Sequence, residues 1–122
     1  MKKESILRDK SYMFAIRIVR LSQFLQQEQK EFILSKQILR SGTAIGALIR
    51  EAEYAQSDAD FINKFSISLK EANEADYWLS LLKDTDYIDM KLHKSLHKDC
   101  DELISMLVST IKTMKAKNTL NS

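Results

Sequence analysis

The chain has 122 residues, of which 44% are apolar, with 19 Lys and Arg against 17 Asp and Glu and no proline. This length supports one domain with one hydrophobic core, over residues 1-122, and excludes a second core. The single cysteine, Cys100, excludes a disulfide framework and a multi-cysteine zinc site and favours a cytoplasmic location, and no apolar run approaches the roughly 20 residues that cross a bilayer.

The first predicted helix covers residues 5-27. One row of residues at alternating spacings of four and three is typical of a buried helical face, with one polar member. The row consists of Leu7, Ser11, Phe14, Ile18, Leu21 and Leu25. The polar run from Gln26 to Glu31 interrupts this pattern and predicts a turn.

The second predicted helix covers residues 36-55. Ser35 precedes it and is predicted to cap it by accepting a hydrogen bond from an early backbone N–H. Gly42 and Gly46 lie four residues apart and form a small-residue ridge on this helix. Because glycine costs about 0.5 to 1 kcal/mol relative to Ala inside a helix, we expect the close approach of another helix to compensate.

The third and fourth predicted helices cover residues 58-83 and 90-117. Ser57 with Asp60 has the form of a capping box before the third helix, and Asp89 is positioned to cap the fourth. Two glycines and no proline leave little turn-forming material for a sheet. Four helices joined by short turns therefore predict an all-α fold, an antiparallel up-down-up-down four-helix bundle.

Two segments of these helices resemble a known family. The segment SKQILRSGTAIGALIREA, from Ser35 to Ala52, resembles the signature of the four-helix-bundle proteins of the 23S ribosomal-RNA intervening-sequence family. The segment from Asp60 to Leu79 is similar to the third-helix motif of that family, which is itself similar to the accessory variability determinant of diversity-generating retroelements. The resemblance implies a homopentameric ring and, for retroelement members, binding to a reverse transcriptase and to nucleic acid through basic surfaces. The matching residues are mostly small and apolar, so they imply a scaffold and no set of catalytic residues.

A basic track lies along the first helix. Lys3, Lys10 and Arg17 are seven residues apart, and Arg20 lies one turn beyond Arg17. One hypothesis is a surface that binds the phosphates of RNA or DNA; the alternative is a solvated flank whose charges pair with acids of a neighbouring helix. Three lysines near the end of the fourth helix either extend this patch or stabilise the helix C-terminus. These are Lys112, Lys115 and Lys117.

The other candidate functional residues are interpreted as structural. His93, His97 and Cys100 share one face of the fourth helix, but Lys94 and Lys98 oppose a cation there, so a surface His pair beside a buried thiol is the preferred interpretation. Three glutamates lack the histidine partners of a metal-binding bundle and are interpreted as forming surface or interhelical ion pairs with Arg50 and Lys70: Glu51, Glu71 and Glu74. Four aromatic residues are interpreted as packing residues: Tyr54, Phe61, Tyr77 and Trp78.

The sequence therefore predicts a protein that is not an enzyme and uses no metal or other cofactor. We expect an oligomeric bundle, in keeping with the homopentamer that the resemblance implies, which presents basic surfaces to nucleic acid or to a reverse transcriptase. A scaffold that binds only proteins is the alternative hypothesis.

Overall fold

Four α-helices make up the computed structural model, which describes residues 3–120 and, for side chains, residues 6–119. The helices are α1 (Lys3–Gln27), α2 (Leu34–Ala52), α3 (Asp58–Asp84) and α4 (Met90–Leu120), and no strand occurs within the described range. The predicted all-α class is confirmed. The predicted helix ends are displaced by up to three residues, most at the end of α2 and at the end of α4.

The start of α2 differs from the predicted capping. The helix begins at Leu34, and its N-cap residue Ile33 contributes no side-chain hydrogen bond. Ser35 is buried inside the helix, where its backbone N–H donates to the carboxylate of Glu31 at 2.8 Å and its hydroxyl accepts from the amide of Gln26 at 3.3 Å. The prediction that Ser35 caps α2 is therefore wrong, because the longer side chain of Glu31 reaches an open N–H group from the preceding turn and suits the positive end of the helix.

The end of α2 is also earlier than predicted. After Ala52 the backbone N–H groups of Glu53, Tyr54 and Ala55 donate to carbonyl groups three residues back, at 3.0 to 3.2 Å. Bonds of this span tighten the chain into a 3₁₀-like turn and satisfy the carbonyl groups that a helix end leaves open. The helix therefore stops three residues before the predicted position.

The predicted caps of α3 and α4 are confirmed. The hydroxyl of Ser57 accepts from the backbone N–H of Asp60 at 3.1 Å, and the carboxylate of Asp60 accepts in return from the N–H of Gln56 at 3.2 Å. The carboxylate of Asp89 accepts from the backbone N–H of Leu92 at 2.8 Å. Both helices thus begin where a short polar side chain replaces a missing backbone acceptor.

The α3–α4 turn ends α3 with a Schellman motif. The N–H of Tyr87 donates to the carbonyl of Leu82 at 2.9 Å, and the N–H of Asp86 donates to that of Lys83 at 3.0 Å. Asp86 has a φ of 69°, a left-handed conformation that Asp tolerates better than most residues other than glycine. The chain then reverses direction before Asp89, which caps α4.

The core contains the predicted buried row of α1 together with apolar residues of the other three helices. All six predicted positions of α1 are buried, and the polar one, Ser11, is satisfied by donating its hydroxyl to the carbonyl of Arg8 at 2.9 Å. The other three helices supply further buried apolar residues, among them Ile38, Ile45, Ile49, Phe65, Ala72, Ala75, Leu79, Leu82, Leu96, Leu103 and Leu107. One continuous apolar cluster joins all four helices.

Close packing between α1 and α2 depends on the two glycines. A Cβ atom added at Gly42 would lie 2.8 Å from both γ-carbons of the buried Ile18. One at Gly46 would lie 3.2 Å from the hydroxyl oxygen of Ser11 and 3.4 Å from its backbone. The glycine positions are therefore the places where α1 approaches the backbone of α2.

The helices pack most extensively with their neighbours along the chain, whereas α1 and α4 touch at fewer residues. Contacts between α1 and α2 run from Ser22 bonded to Ser35 at one end to Arg8 paired with Glu53 at the other. The α1–α4 side is consequently the more open side of the bundle.

Candidate functional site

The middle of the basic track is paired with acids of α4. The ammonium group of Lys10 lies 2.5 Å from a carboxylate oxygen of Glu102, and the hydrogen bond to that carboxylate raises the pKa of Lys10. The guanidinium of Arg17 lies 2.6 Å from a carboxylate oxygen of Asp99 and also donates to the hydroxyl of Ser95 at 3.0 Å. These two cations therefore bridge the open α1–α4 side, as the solvated-flank interpretation predicts.

The ends of the track differ from its middle. The side chain of Lys3 lies outside the residues whose side chains the structure describes. Arg20 is exposed and forms no ion pair with another described residue. Three further cations near the end of α4 are exposed and form no ion pair within residues 6–119: Lys112, Lys115 and Lys117.

The histidines of α4 face α3 rather than a metal site. His97 lies with Nδ1 at 2.7 Å from a carboxylate oxygen of Asp76, and its ring stacks on that of His93 with centroids 5.6 Å apart. Burial, with a contribution from nearby Lys83, lowers the pKa of His93. Among the described residues no group of three or more His, Cys, Asp or Glu side chains is placed to hold a metal ion.

Cys100 is buried between α3 and α4. Its thiol donates to the carbonyl of Ala72 at 3.3 Å, and burial raises its pKa to about 12. A thiol of this kind is almost fully protonated at neutral pH, so it is neither a ready nucleophile nor a ready metal ligand.

The glutamates pair with different cations from those predicted. The carboxylates of Glu71 and Glu74 both bind the guanidinium of Arg40, the former at 3.1 Å. Glu51 pairs with Lys64 at 3.5 Å instead of with Arg50. The interpretation of these acids as ion-pair partners holds, but their partners are on the facing helix, which the sequence spacing within one helix does not reveal.

The four aromatic residues divide into two packed and two exposed side chains. Phe61 stacks on Phe65 with centroids 4.4 Å apart, and Trp78 is half-buried and donates its indole N–H to Glu74 at 2.9 Å. Tyr77 is 60% exposed and Tyr54 is 82% exposed, so the prediction of packing does not hold for these two residues within one chain.

An apolar groove runs between α1 and α2. Its floor consists of small residues, Ala15 on α1 with Thr43, Gly46 and Ala47 on α2, and it encloses about 470 Å³. Two tyrosines and two arginines stand around it: Tyr12, Tyr54, Arg8 and Arg50. The guanidinium of Arg50 lies over the ring of Tyr12, 5.7 Å from its centroid. We refer to this feature as the α1–α2 groove.

A row of larger apolar residues borders the α1–α2 groove on the outer side of α1. Tyr12 is 55% exposed, Val19 is exposed, and Ile16 is half-buried. These residues, spaced by four and three, also line a second depression that shares Tyr12 and Ala15 with the groove. We call Tyr12, Ile16 and Val19 the outer row. The groove and the outer row together form one continuous apolar face.

Sequence reasoning missed this face, although a signal for it is present. The outer row repeats with the same helical spacing as the buried row of α1 but is offset around the helix. A helix that is apolar on both sides is typical of one that is covered on both sides. The buried row of α1 provides the contribution of this helix to the core, and none of the outer-row residues belongs to the core cluster. The outer row therefore has no packing role inside one chain.

Comparison with known proteins identifies relatives of the whole bundle. The family model described as 23S rRNA-intervening sequence protein matches residues 3–109. A crystal structure at 1.70 Å resolution of a protein with unknown function from the S23 ribosomal protein family of Bacteroides thetaiotaomicron VPI-5482 is 58% identical, with a TM-score of 0.90. The match covers 91% of this chain and 99% of that one. No curated protein matches the sequence. Within the described residues no helix combines the length and apolar character needed to cross a membrane.

Proposed function

The chain belongs to the 23S rRNA-intervening sequence protein family, and from this premise and the geometry of its surface we propose that it is a self-associating helical scaffold that binds proteins and catalyses no reaction. The observation that carries the proposal is the continuous apolar face formed by the α1–α2 groove and the outer row. Exposed apolar faces of this kind, with a polar rim, are typical of sites where proteins bind.

The apolar face is not needed to complete the core. The buried rows of the four helices already form one closed cluster, and that cluster contains none of the residues of the outer row. Tyr12 and Tyr54 nevertheless remain largely exposed to water. Their rings therefore do not contribute the stabilisation that a buried aromatic side chain provides. Association that covers these rings would recover about 25 cal/mol for each Å² of apolar surface removed from water.

The proposed assembly is a ring built from antiparallel bundles. Support for the up-down-up-down order comes from the cross-helix contacts, which pair increasing positions on one helix with decreasing positions on the next, as in Cys100 with Ala72 and His97 with Asp76. Five copies are what the family resemblance implies. The lone, buried cysteine supports a cytoplasmic setting for such an assembly.

Light scattering tests self-association directly. At micromolar concentration we expect a mass near five times the 14.1 kDa of one chain, in a form that dissociates on dilution or on loss of the interface. A species that keeps the mass of one chain at every concentration would contradict the proposal.

Nucleic-acid binding is a second candidate function, favoured by one observation. Arg20 and the lysines near the end of α4 carry charges that no described acid neutralises. Lys10 and Arg17, in contrast, already face Glu102 and Asp99, whose carboxylates would repel a phosphate. If the resemblance to retroelement accessory proteins extends to function, the protein partner in this second candidate is a reverse transcriptase.

A salt titration of RNA binding separates the two candidates. If phosphates bind at Arg20, log affinity falls steeply with log salt, and Arg20→Glu weakens binding while Lys70→Glu, an equal charge change on exposed α3, does not. Arg20 is a cleaner probe than Lys10 or Arg17, because reversing either of those charges also sets like charges against α4. If the Arg20→Glu and Lys70→Glu variants bind RNA equally well, the basic track is not an RNA-binding surface. The scaffold that binds only proteins is then the better interpretation.

A further inference from the structure

We infer that a notch between α1 and α4 binds an acidic segment of a partner protein and takes up one bulky apolar side chain of that segment. This inference rests on the proposed scaffold function and names the chemistry of one partner. The notch lies on the open α1–α4 side of the bundle, and Arg20 is the one residue that it shares with the depression along the outer row. We call it the α1–α4 notch.

The α1–α4 notch has an apolar interior of the size of one large side chain. It encloses about 260 Å³, and its lining consists of four apolar residues and two arginines: Leu21, Phe24, Leu92, Leu96, Arg17 and Arg20. Leu21 and Leu96 are buried and form its floor, whereas Phe24 is 39% exposed and Leu92 is half-buried. This space accommodates a leucine or phenylalanine side chain from outside the chain.

Arg17 forms a fixed edge of the α1–α4 notch. Its guanidinium pairs with Asp99 at 2.6 Å and donates to the hydroxyl of Ser95 at 3.0 Å, so its polar groups have partners inside the chain. Among the described residues no further ion pair joins α1 to α4 between Arg17 and the end of α1. Because α1 and α4 touch at few residues, nothing in this part of the chain covers the leucines.

Arg20 is the charge at the α1–α4 notch that the chain leaves without a partner. It is exposed, and no described acid pairs with it. Lys91 is a second exposed cation without an ion pair to another described residue, and it lies one helical turn before Ser95, on the stripe of α4 that faces α1. An acidic segment supplies the carboxylates that both cations lack.

The surroundings of the α1–α4 notch favour a protein segment over a nucleic acid. Leucine side chains offer no hydrogen bond to the edge of a base, whereas covering them with an apolar side chain is favourable in proportion to the apolar area removed from water. Asp99 and Glu102 lie farther along the same open side, where they would repel the phosphates of a strand that followed α1. A short segment with one apolar side chain between acids reaches the leucines and Arg20 without crossing these carboxylates.

Peptides of defined composition test this chemistry on the full-length wild-type chain. The probe is a fluorescein-labelled peptide in which one phenylalanine is flanked on each side by two glutamates. One control peptide has alanine in place of the phenylalanine, and the other has glutamine in place of every glutamate. Fluorescence anisotropy at low salt should show binding of the probe that is weakened about tenfold by the alanine and about fivefold by the glutamines.

Variants of the chain locate the contact. Arg20→Glu should weaken binding of the probe about fivefold or more, and Phe24→Ala should weaken it as well. Lys70→Glu and Tyr77→Ala are matched changes at exposed residues of α3 and should leave binding unchanged. Circular dichroism should show equal helix content in the four variants, because all four side chains are exposed.

An oligouridylate of the same net charge, carrying the same label, provides the comparison with nucleic acid. If it binds more tightly than the probe, and Phe24→Ala leaves its binding unchanged, the surface binds phosphate and the inference is wrong. The inference is equally wrong if Arg20→Glu and Phe24→Ala bind the probe as well as the wild type does.

Light scattering of the same samples keeps this inference separate from the proposed self-association. A wild-type chain that assembles but does not bind the probe retains self-association and contradicts the α1–α4 notch as a binding site. A wild-type chain that binds the probe as a monomer supports the notch and contradicts self-association.

Discussion

Replacing Gly42 by alanine tests the packing of α1 against α2 with a single methyl group. The added Cβ atom would lie 2.8 Å from both γ-carbons of Ile18, closer than carbon atoms approach without displacement. Ile18 is fully buried and branched at Cβ, so its side chain has no open space and few rotamers into which to move.

The magnitude follows from two opposing terms. Overpacking of a filled core costs about 1 to 3 kcal/mol. Alanine in place of glycine inside a helix returns about 0.5 to 1 kcal/mol. We therefore expect Gly42→Ala to lower the free energy of unfolding by about 0.5 to 2 kcal/mol, the difference between the lower ends and between the upper ends of the two ranges.

Urea denaturation at one fixed protein concentration measures this effect, because association makes stability depend on concentration. A double-mutant cycle supplies the control. In an Ile18→Ala background both γ-carbons are absent, so Gly42→Ala should there be neutral or stabilising by up to about 1 kcal/mol. If Gly42→Ala is as stable as wild type, or if its cost is the same in both backgrounds, contact with Ile18 is not the reason for glycine at this position.

Three further predictions concern other residues of the bundle. Gly46→Ala should change the free energy of unfolding by less than about 1 kcal/mol, because the atoms nearest to the added Cβ are 3.2 to 3.4 Å away. Gly46→Leu should lower the free energy of unfolding by about 1 to 3 kcal/mol. If the leucine variant is as stable in urea as the wild type, Gly46 does not pack on α1. Asp89→Ala should cost about 0.5 to 2 kcal/mol through loss of the bond to the N–H of Leu92, while Asp89→Ser should retain most of the stability in the same assay. Cys100 should resist thiol reagents at pH 8 until the protein unfolds, and its contribution to stability should decline as pH rises above about 9, because the unfolded chain loses the thiol proton near 9.0 whereas the folded chain keeps it to about 12. Cys100→Ala should lack this decline, and an equal pH dependence with and without the thiol would contradict the assignment.

Features that depend on residues close together in the chain were predictable from the sequence. The four helices, the buried row of α1 and the caps at Ser57 and Asp89 all arise from interactions that span about four residues. Ser35 shows the limit of this reasoning even at short range. The helix begins one residue before Ser35, and the path of the turn places the carboxylate of Glu31 where it accepts from the N–H of Ser35 itself.

Features that depend on which helices face each other needed the tertiary structure. The sequence placed Lys10 and Arg17 on one stripe of α1, but it was the packing of α4 that set Glu102 and Asp99 against them and so changed a phosphate-binding hypothesis into a pair of interhelical ion pairs. Likewise, Tyr12, Ile16 and Val19 follow a helical period that is visible in the sequence, whereas the small-residue floor beside them exists only because α2 lies there. A helix period describes one helix at a time, and a groove is formed by two.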